Sequence, residues 1–182
     1  KHDAEVLRDA ALVAAGKLSR TRFGQPVRPP QPSGVTEIAF GRPRWHADRG
    51  DARFRRSLYT FQKRTAPFAF YTTFDAPSGE SCVVQREASD TPLQALSLLN
   101  DPMMVELQAA FGAALAERAA TSNLEATLTL AFRQVCTRTP DDDEIASLRA
   151  FWQRQSERTD PETAWSAVAR ALLCLDEAVT RS

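Results

Sequence analysis

Apolar residues recur at helical spacing through the second half of the chain. In each stretch they return every three or four positions, which places their side chains on one face of a helix. Brief polar links separate the stretches, so the pattern predicts a helical bundle over residues 92–180. The predicted inner stripes are Leu93, Leu96 and Leu99; Met104, Leu107 and Phe111; Leu124, Leu128, Ala131 and Val135; Ile145, Leu148 and Trp152; and Trp165, Val168, Ala169 and Leu172.

Capping residues indicate where these helices begin. The phrase "SDTPLQALSLLND" places Thr91 as an N-cap with Gln94 three residues later, which is the pattern of a capping box. The acidic run at residues 141–144 resembles a metal site, but it lies where carboxylates stabilise the start of a helix, and it is interpreted as capping charge. The other predicted caps are Asp101, Ser122 paired with Glu125, Thr139, and Asp160.

The N-terminal third combines one helix with a proline-rich segment. The stretch "HDAEVLRDAALVAAGKL" predicts a helix that Asp3 caps and that ends near Gly16. Residues 19–50 predict an extended strap over the core, because proline fixes φ and removes amide donors. A proline motif that binds another protein is the alternative. The predicted inner face of the helix is Val6, Ala10, Val13 and Ala14, with Leu7 beside them.

Residues 53–64, "RFRRSLYTFQKR", combine basic and aromatic side chains and contain no acid. On a helix, Arg56 and Lys63 would share a face, and so would Leu58 and Phe61. Such a patch suits phosphate, sulfate or carboxylate groups, because arginine offers a planar fork of donors. The alternative is a solvated face whose arginines pair with acids elsewhere, such as Asp75 or Glu80.

Residues 66–88 do not show a helical pattern. Phe68, Phe70 and Phe74 alternate with other residues, and the sequence at 77–79, Pro-Ser-Gly, signals a turn. The segment therefore predicts a short hairpin or an ordered irregular piece. Core packing is the favoured role of its aromatic cluster, and stacking on sugar rings is the alternative.

Composition narrows the class of protein. The chain has 182 residues, 43% of them apolar, which is enough to bury the core of a single domain. Lys plus Arg and Asp plus Glu both number 23, and this balance argues against a general nucleic-acid binder. No apolar run reaches the ~20 residues of a membrane helix. Cys136 and Cys174 are predicted to be buried thiols, with a disulfide between them as the alternative.

Few residues suit catalysis. His2 is terminal. A triad of His46 with Asp48 and Ser57 or Cys82 is conceivable, but no nucleophile-elbow motif supports it, and no glycine-rich phosphate loop occurs. No close His or Cys cluster predicts a metal site. These observations favour a non-catalytic role. The acidic candidates for hydrolysis are Asp75, Glu87 and Asp90, and the anion-binding candidates are Arg56, Lys63, Arg64 and Arg86.

Five ordered motifs resemble one family: "RRSLYTFQKRTAP", "TFDAPSGESCVVQRE", "DTPLQALSLLNDP", "AFRQVCTRTPDDDE" and "ALLCLDEAVTR". They are similar to the C-terminal domain of unknown function 1553 of large secreted planctomycete proteins, where it follows a cytochrome-c-like domain and a second uncharacterised domain. The resemblance spans nearly the whole chain. It identifies residues 1–182 as one mainly α domain, the C-terminal part of a larger protein, and the opening Lys1 agrees with a fragment of a longer precursor.

The resemblance implies a setting more than an activity. It implies an extracytoplasmic location, periplasmic or at the cell surface, and haem c on a separate domain of the parent protein, with no cofactor in this chain. The expected partners are the other domains of that protein and an anionic polysaccharide, with neither nucleic acid nor a membrane span. Departures from the family pattern at Gln62, residues 68–71, Gln85, Ser89 and Cys174 put any retained activity in doubt.

The leading hypothesis is therefore a bundle of about five to seven short helices that acts as a non-catalytic structural or interaction module of an exported haem-containing protein. One alternative is a carbohydrate-active or hydrolytic module that acts on sulfated polysaccharides. Another is anion or glycan binding without catalysis.

Overall fold

A computed structural model describes residues 1–36 and 44–180. These residues are mainly helical, which confirms the predicted fold class. Residues 37–43 of the predicted strap, and the last two residues of the predicted domain, lie outside the described part. The helices are α1 (Ala4–Ala14), α2 (Ala69–Thr73), α3 (Pro92–Asn100), α4 (Pro102–Ala119), α5 (Leu124–Cys136), α6 (Asp142–Ser156), α7 (Pro161–Leu173) and α8 (Asp176–Val179), with 3-10 turns at Gly50–Phe54 and Ser57–Tyr59.

The centre of the core lies between α4 and α7. Both helices bury their predicted stripes, and α1, α5 and α6 pack around this pair. The two backbones approach closely at Gly112, where an added Cβ would lie 2.4 Å from the Ser166 Cα. Glycine is required there because any side chain would push the helices apart. The N-terminus joins this assembly through the His2 amide, which donates to the Val179 carbonyl at 2.8 Å.

Three of the six predicted caps are confirmed and two are wrong, whereas Asp3 stands at the start of α1 without a capping hydrogen bond from its side chain. Thr91 forms the predicted capping box with Gln94, and the Asp101 and Asp160 side chains cap α4 and α7. α5 is capped by Asn123 rather than Ser122. α6 is capped by Asp141 rather than Thr139, because Asp141 and Glu144 bond to each other's backbone amides at 2.8 Å.

The predicted inner face of α1 is wrong for three of its five residues, since only Leu7 and Ala14 are buried. Val6 and Val13 are 47% and 58% exposed, and Ala10 is also exposed. Helix α1 is apolar on two faces, and the core takes the face that carries Arg8, whose guanidinium satisfies backbone carbonyls of the neighbouring segment. The buried residues of this face are Ala4, Leu7, Arg8, Ala11, Leu12 and Ala14.

The predicted inner stripe of α3 is also wrong. Leu93, Leu96 and Leu99 are exposed, whereas Leu98 and the side chain of Gln94 are buried. Gln94 goes inward because its amide nitrogen donates to the Thr73 carbonyl at 2.8 Å, a partner far away in sequence. Hydrogen bonding of a buried amide therefore outweighs the leucine periodicity.

Two local predictions before α3 need correction. Residues 69–73, predicted to be non-helical, form the short helix α2, because one helical turn directs both Phe70 and Phe74 into the core. The basic segment 53–64 contains only the two 3-10 turns, so Arg56 and Lys63 share no helical face, and Leu58 is 75% exposed. The aromatic rings of 68–74 are buried, as the sequence favoured.

The proline-rich segment runs alongside the two 3-10 turns. Among the described residues it does not form a strand with them. Isolated parallel bridges pair Ser19 with Arg55 and Val27 with Thr60. The Trp45 indole donates to the Pro29 carbonyl at 2.7 Å and stacks on Phe68. These contacts attach the proline-rich segment to the core.

Candidate functional site

Asp75 lies in a polar cluster at the start of α3. Its backbone is left-handed, with φ of 60°, and its carboxylate accepts from the Ser89 amide at 2.8 Å and from the Ser89 hydroxyl. The Gln94 amide donates to the same carboxylate at 3.2 Å. Burial would raise the pKa of Asp75, but these hydrogen bonds outweigh it and hold the pKa below its ordinary value. Asp75 is thus an ionised acceptor that fixes the loop 76–88.

The other two acidic candidates do not join Asp75 in an enclosed site. The Asp90 side chain is 91% exposed and lies 3.9 Å from the Lys1 ammonium. Glu87 is exposed and has no ion pair among the described residues. Lys1 also donates to Ser89 and Gln94, so it links Asp90 to the cluster from the solvent side. An acid and a base directed at one substrate bond are not assembled by these three residues.

Two of the four predicted anion-binding residues line one groove, and both face carboxylates. Arg86 donates to the Glu5 carboxylate through both terminal nitrogens, at 2.7 and 3.1 Å, and lies 3.6 Å from Asp3. Arg56 lies 3.8 Å from Asp9. Burial would raise the pKa of Glu5, but the hydrogen bonds and charge of Arg86, with a backbone hydrogen bond, outweigh it and lower this pKa. Arg86 is therefore engaged by hydrogen bonds within the chain, whereas Arg56 forms only a looser ion pair at the surface.

The groove is open and has a volume of about 670 Å³. Val6, Ala10 and Val13, from the outer face of α1, form one apolar side, and Leu58 contributes from the opposite segment. The lining also includes three carboxylates and two guanidinium groups, so its charged groups sum to one negative charge. Of the four predicted anion-binding residues, Arg56 and Arg86 thus line this groove, whereas Lys63 and Arg64 lie outside it.

Arg8 lies fully buried beneath this groove, and the sequence reasoning missed it. Its guanidinium donates to the carbonyls of Arg53 and Arg55 at 2.7 and 2.8 Å, and to the Ser57 hydroxyl at 3.2 Å. Desolvation lowers the pKa of Arg8, which the proximity of Asp9 partly offsets. The sequence signal for its burial is its position between Ala4 and Leu12 on one face of α1.

Tyr71 lies close to Arg8, and we call these two side chains, with Ser57 and Thr60, the buried polar layer. Its hydroxyl donates to the Ser57 carbonyl at 2.8 Å and lies 3.2 Å from the Thr60 hydroxyl. Burial raises the pKa of Tyr71, so its phenol is neutral at physiological pH. Arg8 and Tyr71 together hold the turn at residues 57–59 in place, which is a positioning role rather than a chemical one.

The remaining chemical candidates are structural or exposed. Cys136 is buried, Cys174 is half-buried and Cys82 is exposed, and all three are free thiols. Burial raises the pKa of Cys136 to about 11, which makes it unreactive. His46 is exposed. Among the described residues no three His, Cys, Asp or Glu side chains are arranged to hold a metal ion.

The acidic run 141–144 caps α6, as the sequence indicated. Arg138 pairs with both Glu144 and Glu177, and it holds the pKa of Glu144 at about 2. The run is therefore accounted for by capping and by this ion-pair network. None of the helices in the described part of the chain has the length and apolar character needed to cross a membrane.

Comparison with known proteins identifies the family. A family model described as PSD1, protein of unknown function (DUF1553), matches residues 1–152. The chain belongs to the PSD1 family. No curated protein and no solved structure matched it.

The packed unit of this PSD1 chain continues beyond the matched residues. Helix α7 begins at Pro161, and its residues Trp165, Val168 and Leu172 are fully buried against the rest of the core. Residues 161–173 are thus part of the same hydrophobic core as the helices that carry the family match.

Proposed function

We propose that this PSD1 chain is a non-catalytic interaction module of an exported, haem-containing multidomain protein. The observation that carries the proposal is the outer face of α1, where Val6, Ala10 and Val13 form an apolar wall on an open groove. Contiguous apolar surface of this kind is characteristic of contact sites between proteins or domains. The exported setting and the separate haem c domain rest on the family resemblance.

The charges around the groove suit a docking role. Arg86 and Arg56 are held by Glu5 and Asp9, so the rim presents pre-formed ion pairs around an apolar centre. An apolar centre with a polar rim is the usual anatomy of an interface. Leu58 extends the apolar centre across the groove. The partner we propose is another domain of the parent protein.

A second apolar surface supports the same conclusion. Leu93, Leu96 and Leu99 on α3 are exposed in a row. Leu99 also lines an open groove of about 490 Å³, together with Val105 and Phe151. A module that contacts more than one neighbour would use surfaces of this kind.

The hydrolytic alternative gains no support from the geometry. Asp75 is engaged by Ser89 and Gln94, Asp90 is exposed at the surface, and Arg86 is paired with Glu5. Glu87 is exposed and lies outside both grooves. The arrangement of these residues therefore favours the non-catalytic function.

The test uses the chain and the remaining domains of the parent protein as separate polypeptides. Introducing Val6→Asp with Val13→Asp should weaken their association about tenfold or more, because two buried apolar contacts are replaced by charges. Titration calorimetry would measure the affinity. Val83→Asp with Val84→Asp is the matched control, since both valines are exposed and lie outside the groove.

The control pair should bind as the unaltered chain does. Circular dichroism and urea unfolding should show that both variants are folded. If the unaltered chain does not bind the other domains, or if the α1 variant binds equally well, the docking proposal is wrong.

A further inference from the structure

The zero net charge of the chain conceals a strong separation of charge. Residues 17–64 contain twelve basic and three acidic residues, a net charge of +9. The rest of the chain contains eleven basic and twenty acidic residues, a net charge of −9. Ten of the twelve basic residues are arginine. A neutral total is therefore compatible with one strongly positive surface.

The described parts of this segment, residues 17–36 and 44–64, lie side by side, and we call them the basic layer. The Ser19 amide donates to the Phe54 carbonyl at 3.0 Å. Val27 exchanges backbone hydrogen bonds with the residues at 59 and 61, at 2.8 and 2.7 Å. The Asp48 amide donates to the Arg28 carbonyl at 2.9 Å. Two stretches that are distant in sequence, both rich in arginine, are thereby held next to each other.

Most of the charge on this surface is available to a partner. Exposed basic side chains of the basic layer that form no ion pair with any described acid are Lys17, Arg20, Arg22, Arg44, Arg49 and Arg64. Arg53 and Arg56 are the residues of the layer with ion pairs to described acids, Glu106 and Asp9. Uncompensated like charges at one surface repel each other, and an anionic partner relieves that repulsion.

A buried arginine holds the layer in shape. The Arg55 guanidinium donates to the carbonyls of Thr21, Phe23 and Gln25, and it stacks over the Tyr59 ring with its centre 3.9 Å from the ring centroid. Phe23 and Gly24 adopt left-handed backbone to bring these carbonyls together. The exposed Arg20 and Arg22 are therefore carried on a fixed loop, which lowers the entropy cost of binding.

We propose that the basic layer binds a linear acidic polysaccharide through its sulfate or carboxylate groups. Planar arginine forks match these groups with paired hydrogen bonds. Base stacking, which single-stranded nucleic acid needs, is poorly served. Tyr59 and Phe61 are covered by Arg55 and Arg28, and Phe23, 83% exposed, is the one fully exposed ring among the described aromatic residues of the layer.

This surface is distinct from the α1 groove. Of the basic side chains of the layer, only Arg56 lines that groove, where it faces Asp9. The two proposals are therefore separable, because the Val6→Asp with Val13→Asp variant should bind polysaccharide as the unaltered chain does.

The experiment measures binding of the full chain to fluorescein-labelled heparin and to labelled polygalacturonate, by anisotropy. Heparin carries sulfates and polygalacturonate carries carboxylates, so the two probes distinguish the anionic groups. With about four contacts, affinity should fall roughly a hundredfold between about 50 and 200 mM salt. The variant is Arg20→Glu, Arg22→Glu and Arg64→Glu combined, which should lose at least about tenfold in affinity.

The matched control is Arg118→Glu, Arg154→Glu and Arg158→Glu combined. These arginines are exposed, lie outside the layer and form no ion pair with a described acid, and the control changes the net charge by the same amount. It should bind within about twofold of the unaltered chain. Equal losses in the two variants, no binding of either polysaccharide, or tighter binding of polyglutamate or of a single-stranded oligonucleotide would each overturn the proposal.

Discussion

Replacing Arg8 by methionine tests how the buried polar layer is held. Methionine keeps an unbranched apolar stem but lacks the guanidinium group and all its donors. The carbonyls of Arg53 and Arg55 lose their partners, and each buried acceptor left unpaired costs about 1–3 kcal/mol. Loss of the buried charge returns part of this, because a desolvated guanidinium is itself unfavourable. We expect a net loss of about 3 kcal/mol in the free energy of unfolding.

Urea unfolding followed by circular dichroism would measure that loss. For a chain of this size it corresponds to a fall of about 6–12 °C in Tm. Hydrogen exchange should show the effect concentrated at residues 53–60, where the turn at Ser57 loses its support. Arg154→Met is the control, because Arg154 is exposed and forms no ion pair with a described residue. It should change the unfolding free energy by less than about 0.5 kcal/mol.

The reasoning about Arg8 would be refuted by either of two results. One is a loss below about 1 kcal/mol, which would mean that the carbonyls find other partners or water. The other is the expected loss of about 3 kcal/mol with hydrogen exchange at residues 53–60 unchanged, which would place the effect elsewhere in the core.

Two further predictions concern the close helix contact and the α3 cluster. A change from glycine to alanine normally strengthens a helix. In Gly112→Ala the new Cβ would meet the Ser166 backbone, so the free energy of unfolding should fall by about 1–3 kcal/mol. The control for helix propensity alone is Ala114→Gly, because Ala114 is exposed. A stabilised G112A variant would contradict the contact. The lowered pKa of Asp75 means that its carboxylate stabilises the fold above the unfolded pKa of 3.8, and that this contribution is lost as pH falls through the lower folded pKa. The difference in unfolding free energy between the unaltered chain and Asp75→Asn should therefore be constant well above pH 3.8 and shrink as the pH is lowered below 3.8, and a difference that stays constant on acidification would exclude this role.

Apolar periodicity and capping residues correctly predicted the helices whose positions depend on residues close together in the chain. The helices α4 and α7, with their stripes at Leu107 and Trp165, follow from apolar periodicity and from caps such as Asp160. These features depend on neighbours within one or two helical turns, which is why a single sequence reveals them.

The missed features all depend on distant partners. Helix α1 has two apolar faces, and the choice between them is made by carbonyls about 45 residues away that need the Arg8 guanidinium. Gln94 is buried because Thr73 and Asp75 supply acceptors for its amide. Arg56 and Arg86 could be identified as anion-binding types, but not as partners of Asp9 and Glu5. Periodicity carries no information about such pairings.

The close contact of α7 with α4 has a consequence for how this family is divided into folding units. A polypeptide shortened to residues 1–152 would retain every matched position, yet the side of α4 around Phe111 and Gly112 would face water. Such a truncation should aggregate or remain loosely ordered, however well its sequence fits the family. The part of this chain that folds independently therefore includes α7. Relatives aligned only over the matched span need an equivalent helix to cover the same side of α4.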